Sequence, residues 1–316
     1  MNSIRYLGSK IRTLNHLLTI RCLSSYNYRK SDSQTKLERI SKLSNIDIPN
    51  AQVKYVESSD ITNKQLIDTN YGLRQFIKRT YLWTGGGICG SIGISILGAT
   101  LFPEFASSLQ PVVDGFILAI GSTFGIAYSD YAVHKDIIKN KFGSGIYRRQ
   151  PQVEILYTKN SPKRQISYAG FMAGNGLMMM PMFVLYPHAV LPAFIASGSV
   201  FGGAVMYALN KKQGELEVWA SGLYSGLTGM VVVSLLGLSS VYFQGPNMFG
   251  DFTHLISLYG GIPLFSGFVA YDTHKSIDKY MKGEPDHLGC STELHMDFVN
   301  LFVRFTELIS KFNSSK

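Results

Sequence analysis

A chain of 316 residues that is 46% hydrophobic and only 16% charged, with 31 Gly and 18 Tyr, does not have the composition of a soluble protein of that length. Its charges cluster before Arg79, in 134–164 and in 275–286, and the apolar stretches between them are long enough to cross a membrane. The formal net charge of +9 sits in the first thirty residues and in loops of one side, so it reads as an import and topology signal and argues against nucleic acid as a partner.

Met1 to Ser31 contains no Asp or Glu and carries Arg5, Lys10, Arg12, Arg21, Arg29 and Lys30 among frequent Ser and Leu. Mitochondrial transit peptides have this acid-poor, Arg- and Ser-rich composition, whereas a secretory signal would need an apolar core that is missing here. Arg21-Cys22-Leu23-Ser24 has the form of a processing-peptidase site. The bland alternative is a basic cytosolic tail. Residues 1–30 are therefore expected to be a transit peptide and 31–79 a polar matrix segment with an amphipathic helix over Thr62–Arg79. Residues 80–316 are expected to form the membrane domain. Cys22, Cys89 and Cys290 show neither metal spacing nor a framework of pairs, which implies a reduced compartment without structural disulfides.

Seven apolar runs follow: Thr80–Phe102, Pro111–Val133, Ile166–Tyr186, Val190–Leu209, Val218–Val241, His254–Thr273 and Thr292–Ser310. Each is long enough to cross about 30 Å of hydrocarbon as a helix, which satisfies its own backbone in lipid. The expected fold is all-α, a polytopic seven-transmembrane-helix bundle. Gly198 with Gly202, Gly222 with Gly226, and Ser225 with Gly229 have the four-residue spacing that allows close helix packing.

Basic residues fix the orientation. Arg74, Lys78, Arg79, eight residues of the 134–164 loop, Lys211, Lys212, Lys275, Lys279 and Lys282 all fall on the side of the N-terminus. Loops 103–110, 187–189 and 242–253 hold none. The N-terminal side is expected to be the matrix, with the C-terminus in the intermembrane space.

The seventh run is the unusual one. Glu293, Asp297, Asn300, Arg304, Glu307 and Lys311 recur at helical spacing and make one polar stripe; Leu294, Phe298, Leu301, Phe302, Phe305 and Ile309 make the opposite face. Ionisable groups in a span must face a bundle interior or a water path. The sixth run contributes Asp272, at a depth similar to Asp297 on a helix running the other way. Asp130, near the matrix end of the second run, is a candidate third carboxylate, although an interfacial cap explains it as well. Two carboxylates in a partly dry site do not both ionise cheaply and titrate as a unit. Calcium takes six to eight oxygens, so two carboxylates offer it a weak, transient site of the kind permeation needs. His274 and His295 lie two residues from Asp272 and Asp297, about 200° round a helix, and so point away from them. A four-ligand zinc site would need broken helices.

Ala270-Tyr271-Asp272-Thr273-His274-Lys275 and Met296-Asp297-Phe298-Val299-Asn300-Leu301-Phe302-Val303-Arg304 resemble the C-terminal signature of the Bax inhibitor-1-like family, and most closely its mitochondrial branch. His274 stands where the family usually has Gln. No arginine of the second run aligns with the one that closes the site in some relatives. The resemblance implies a seven-helix bundle with a central C-terminal helix and a pH-sensitive calcium path carried by Asp272 and Asp297. For the mitochondrial branch it implies calcium–proton exchange across the inner membrane, cristae organisation and resistance to apoptosis.

Two readings compete. In the first, the chain transports an ion, with Asp272 and Asp297 as the path and pH sensor and Glu293, Asn300, Arg304 and Glu307 as the supporting stripe. In the second, it is a structural membrane subunit that organises cristae or joins a respiratory-chain complex, its charges paired for packing. An intramembrane enzyme is not expected: Gly222-Leu223-Tyr224-Ser225-Gly226 has one residue too many for a rhomboid-type serine motif, and no run carries a central His. No cofactor is expected, with calcium entering only as a transported ion; the partners expected are the lipid bilayer and inner-membrane proteins.

Overall fold

The computed structural model describes residues 62–139, 152–245 and 247–314. The expected transit peptide with its Arg21–Ser24 site, the polar segment up to residue 61 and the middle of the basic loop lie outside the described residues. The described chain is helical apart from one antiparallel hairpin and short connections.

The expected amphipathic helix over Thr62–Arg79 is two pieces. Thr62 and Gln65 form a reciprocal capping box for α1 (Asn63–Thr69). Asn70 leaves helical conformation, and its side chain caps the next helix by accepting from the Leu73 N–H. That helix, α2 (Tyr71–Leu101), thus starts nine residues before the apolar run and carries the run's basic flank with it. Pro103 opens the short α3 (Pro103–Ser107) and Pro111 lies in the first turn of α4 (Gln110–Tyr128), where a missing N–H costs nothing.

The second apolar run was expected to extend to Val133. The helix instead stops at Tyr128, and β1 (Tyr131–Lys139) pairs with β2 (Gln152–Asn160), Tyr131 opposite Asn160. Val133, Ile137, Ile138, Val153 and Ile155 are β-branched, which favours strand over helix once the chain leaves the bilayer. Ser161 caps α5 (Pro162–Leu185) and Pro187 opens α6 (Pro187–Leu209). The fifth run is α7 (Trp219–Gln244), ended by Gly245 at φ 76°, a left-handed position that suits glycine. Asn247 caps α8 (Met248–Met281), and Gly283 at φ 84° turns the chain into α9 (His287–Ser314).

Six of these helices, α2 and α4 to α8, are long and apolar enough to cross a membrane. The outward side chains agree with lipid as their solvent: Leu82, Ile117, Ile166, Leu191 and Ile195 are each at least 60% exposed. Helix α9 is not in that set, because its polar stripe lowers its hydropathy. It packs on α8, α6 and α2, and both its faces are buried between Leu288 and Thr306. Phe298, Val299 and Phe302 fill a core with Ile88, Met179 and Met182; Leu294 and Leu301 fill another with Leu227, Phe265 and Phe268.

Close helix approach falls elsewhere than the glycine spacing suggested. Gly198, Gly202, Gly222 and Gly229 have no described neighbour near the place of a side chain, and Gly226 meets only a Leu264 methyl. These glycines face outward. The tight crossing is between α4 and α5, where a Cβ on Gly115 would stand 2.5 Å from the Gly174 carbonyl oxygen and one on Gly174 2.6 Å from the Ala119 nitrogen.

The connections sort to two ends. Asn63 bonds to the Lys211 carbonyl and to His274, Gly214 donates to His274, and Thr158 donates to the Pro285 carbonyl. The N-terminal edge, hairpin, α6–α7 linker and α8–α9 turn therefore meet at one end, and α9 runs from there to the other.

Candidate functional site: the buried polar seam between α8 and α9

Helices α8 and α9 run antiparallel, and three contacts set their register. Lys275 Nζ lies 2.9 Å from Glu293 Oε1, with Lys279 on the same oxygen at 3.4 Å. Further along, the Arg304 guanidinium lies over the Phe265 ring at 4.6 Å. Beyond that, His254 Nε2 is 2.8 Å from Glu307 Oε1. Between the first two contacts, this register sets Asp272 level with the turn of α9 that carries Asp297.

Asp272 and Asp297 are both fully buried, at 0% exposure. A carboxyl taken from water costs several kcal/mol unless something compensates it, so a bundle that keeps two of them uses or pairs them. Small hydroxyls lie at this level and on its hairpin side. The Tyr81 hydroxyl is 2.8 Å from Thr273 Oγ1, Ser276 donates to the Asp272 carbonyl at 2.7 Å, and Ser291 joins Thr84 and the Tyr168 hydroxyl. Glu293, one turn before Asp297, is drawn to the two lysines at the hairpin end.

The remaining residues of the expected stripe are placed as follows. Asn300 is buried and donates to the Met296 carbonyl. Arg304 is buried at 4% exposure and reaches neither Asp297 nor Glu307 in an ion pair; Glu307 pairs with His254 instead. Asp130 is the residue the structure moves away: exposed in the link between α4 and β1, it lies outside the buried seam. The second helix has already ended two residues earlier.

The histidines separate, as their spacing required. His295 faces Ser91 at 3.2 Å and the edge of Phe171, whereas His274 accepts from Gly214 and meets Asn63. Among the described residues no group of three or more His, Cys, Asp or Glu could hold a metal ion.

Sequence reasoning missed two parts of this seam. In the sequence, His254 only opens the sixth run, and its pairing with Glu307 depends on a helix register that spacing along one helix does not contain. In the sequence, Arg164 is one of the charges of the basic loop. In the structure it is 2% exposed and donates to the Ile126 carbonyl, Asn160 and Asp286 (2.6 Å) while covering the Tyr131 ring. That clamp ties α4, β2 and α5 to the turn that holds α8 against α9. Burial also raises the Tyr131 phenol above its ordinary value, with Asp286 adding to the effect.

The family model described as inhibitor of apoptosis-promoting Bax1 matches residues 73–314. Growth hormone-inducible transmembrane protein of Rattus norvegicus is 22% identical over 246 residues, which cover 76% of this chain and 64% of the relative. Protein lifeguard 4 of Mus musculus is 29% identical over 160 residues, covering 49% of this chain and 63% of the relative. Bax inhibitor 1 of Bos taurus is 28% identical over 217 residues, covering 66% and 87%. The chain thus spans a little under two thirds of the length of the first two relatives.

Proposed function

Because the chain belongs to the Bax inhibitor-1-like family of membrane proteins, matched over residues 73–314, we propose that it is a calcium pathway of the mitochondrial inner membrane, coupled to or gated by protons. The observation that carries this reading is the pair of fully buried carboxylates, Asp272 and Asp297, at matching depth on adjacent antiparallel helices. Such a pair holds a proton when closed and offers oxygens to a passing cation when open. In this reading α9 is the central seventh span: its polar stripe is tolerated because α8, α6 and α2 enclose it. The acid-free first thirty residues support import into mitochondria, and the one-sided basic residues support a matrix-facing N-terminus. Cristae organisation and apoptosis resistance are the cellular roles we assign; relatives include proteins named Golgi anti-apoptotic protein, of vaccinia virus. We assign no enzymatic activity and no cofactor.

The test is calcium and proton flux in proteoliposomes, wild type beside Asp272→Asn and Asp297→Asn. The reading expects calcium to move against protons in wild type and to stop in both folded variants. Variants that match wild type would remove the aspartates from the path. The β1–β2 hairpin favours a second reading, a structural subunit: it is an element added to the helical bundle, and the basic residues of its sequence suit a docked neighbour.

A further inference from the structure

The polar stripe of α9 carries one cation between its carboxylates. Arg304 follows Asp297 by seven residues and precedes Glu307 by three, so it stands about 10 Å along the axis from the first and about 4–5 Å from the second. A helical side chain leans towards the N-terminus of its own helix, which points Arg304 back along the stripe towards Asn300. Its neighbours are unusual for a buried guanidinium. One face lies on the Phe265 ring, Nη2 is 3.2 Å from Met230 Sδ, Nη1 is 3.4 Å from the Asn300 carbonyl, and Nε has no hydrogen-bond partner. Gly261 makes the seat, since any side chain there would collide with the guanidinium.

The charges around it are few. From α8 come His254 and, at the Asp297 level, Asp272, and from α9 come Asp297, Glu307 and Lys311; α7 supplies no charged residue, and α6 only His188 in its first turn. Glu307, the carboxylate nearest in sequence, is held by His254. A buried guanidinium whose nearest carboxylate in sequence is engaged by a histidine is poorly compensated, so its retention calls for a use.

We propose that Arg304 is the plug of the cation path: seated on Gly261 and Phe265, its charge blocks passage between the Asp272–Asp297 level and the Glu307 end of the bundle. The path opens when the side chain leaves that seat for the Glu307 carboxylate. This inference rests on the cation-path reading above and adds the element that closes it. At the effective dielectric of a protein interior, a fixed positive charge within several ångströms of a divalent ion slows its passage by orders of magnitude. The cation on the α9 stripe that can do this is part of the path's own wall.

The experiment compares proteoliposome calcium flux in wild type, Arg304→Met, Arg304→Lys and Asp297→Asn at equal reconstitution. Methionine keeps the packing on Phe265 and removes the charge. The plug predicts at least tenfold greater flux in Arg304→Met, including under conditions where wild type is silent, and flux near wild type in Arg304→Lys. Flux in folded Arg304→Met at or below wild type overturns it. Failure of the aspartate reading looks different: Asp297→Asn would match wild type whatever Arg304→Met does. A readout independent of ion flow uses Asn300→Cys in a background without Cys22, Cys89 and Cys290, treated with an impermeant thiol reagent from the C-terminal side. Protection with Arg304 present and modification in Arg304→Met support the plug; equal modification overturns it. If Arg304→Met and Arg304→Gln both fail to fold while Arg304→Lys folds, Arg304 is a structural cation and the plug is rejected.

Discussion

Arg304 and Gly261 occupy one space: the guanidinium of the first fills the place where a side chain of the second would be. A buried arginine in the bundle is therefore accommodated by a missing methyl on the facing helix. Gly261→Ala should destabilise the protein by about 1–3 kcal/mol, the usual cost of overpacking a filled interior. The same substitution should cost little in an Arg304→Ala background, where the space is vacant. Thermal unfolding of the four proteins of this cycle in one detergent gives the coupling directly. Additive effects would mean that the guanidinium is not seated there.

How far this seam could be read from sequence depends on what kind of information fixes each part. Six of the seven expected spans were legible because lipid demands long apolar runs, and the stripe on α9 was legible because charges three and four apart share a helix face. Asp272 and Asp297 could be matched in depth because the connecting turn is short. The Arg304–Gly261 seat and the His254–Glu307 pair were not legible, since they require the crossing of two helices whose partners are 43 and 53 positions apart. Glycine spacing misled for a related reason: it marks a smooth strip on a helix, and Gly198 and Gly202 turn that strip outward. The helix expected up to Val133 failed because apolar β-branched residues suit either a span or a strand, and the chain chose the strand once it left the bilayer.

Arg164 and Asp286 join the hairpin base to the α8–α9 turn through a bond of 2.6 Å, with the arginine almost completely enclosed. Removing one member of a buried pair strands the other, at a cost of about 3–5 kcal/mol. Arg164→Ala should lower the unfolding midpoint sharply. Arg164→Lys should recover little, because one ammonium cannot serve the Ile126 carbonyl, Asn160 and Asp286 together. A thermal scan that ranks the lysine variant with wild type would reduce the clamp to a simple charge pair.

Lys211 and Glu215 form an equally short contact, 2.6 Å, on the exposed α6–α7 linker. The hydrogen bond from Lys211 holds the Glu215 carboxyl below its ordinary value and raises the lysine. A depressed carboxyl contributes stability above its unfolded value and loses it as pH falls through the folded one, so any effect of this pair fades on acidification. Water and salt screen it, since both side chains are open to solvent. Glu215→Gln should therefore unfold within error of wild type at neutral and at acid pH. A clear loss at neutral pH alone would show that the linker depends on this pair.

The gathering of connections at one end makes a directional prediction. Asn63, Gly214 and His274 meet there, as do Thr158 and Pro285, and Arg74, Lys78, Arg79, Lys211, Lys212, Lys275, Lys279 and Lys282 all flank the same end. With that end in the matrix, a protease site inserted between residues 140 and 151 should stay protected in mitoplasts, whose outer membrane is broken, and be cut only after the inner membrane is dissolved. A tag after Lys316 should be removed already in mitoplasts. α9 decides between topologies: if it lay along a surface or re-entered, both sites would share one side. Protection of the tag together with the hairpin site would make the chain a six-span protein and take Asp297 out of any path across the membrane. Cleavage of the tag alone in mitoplasts would fix an odd number of crossings and leave α9, polar stripe included, as the helix that completes it.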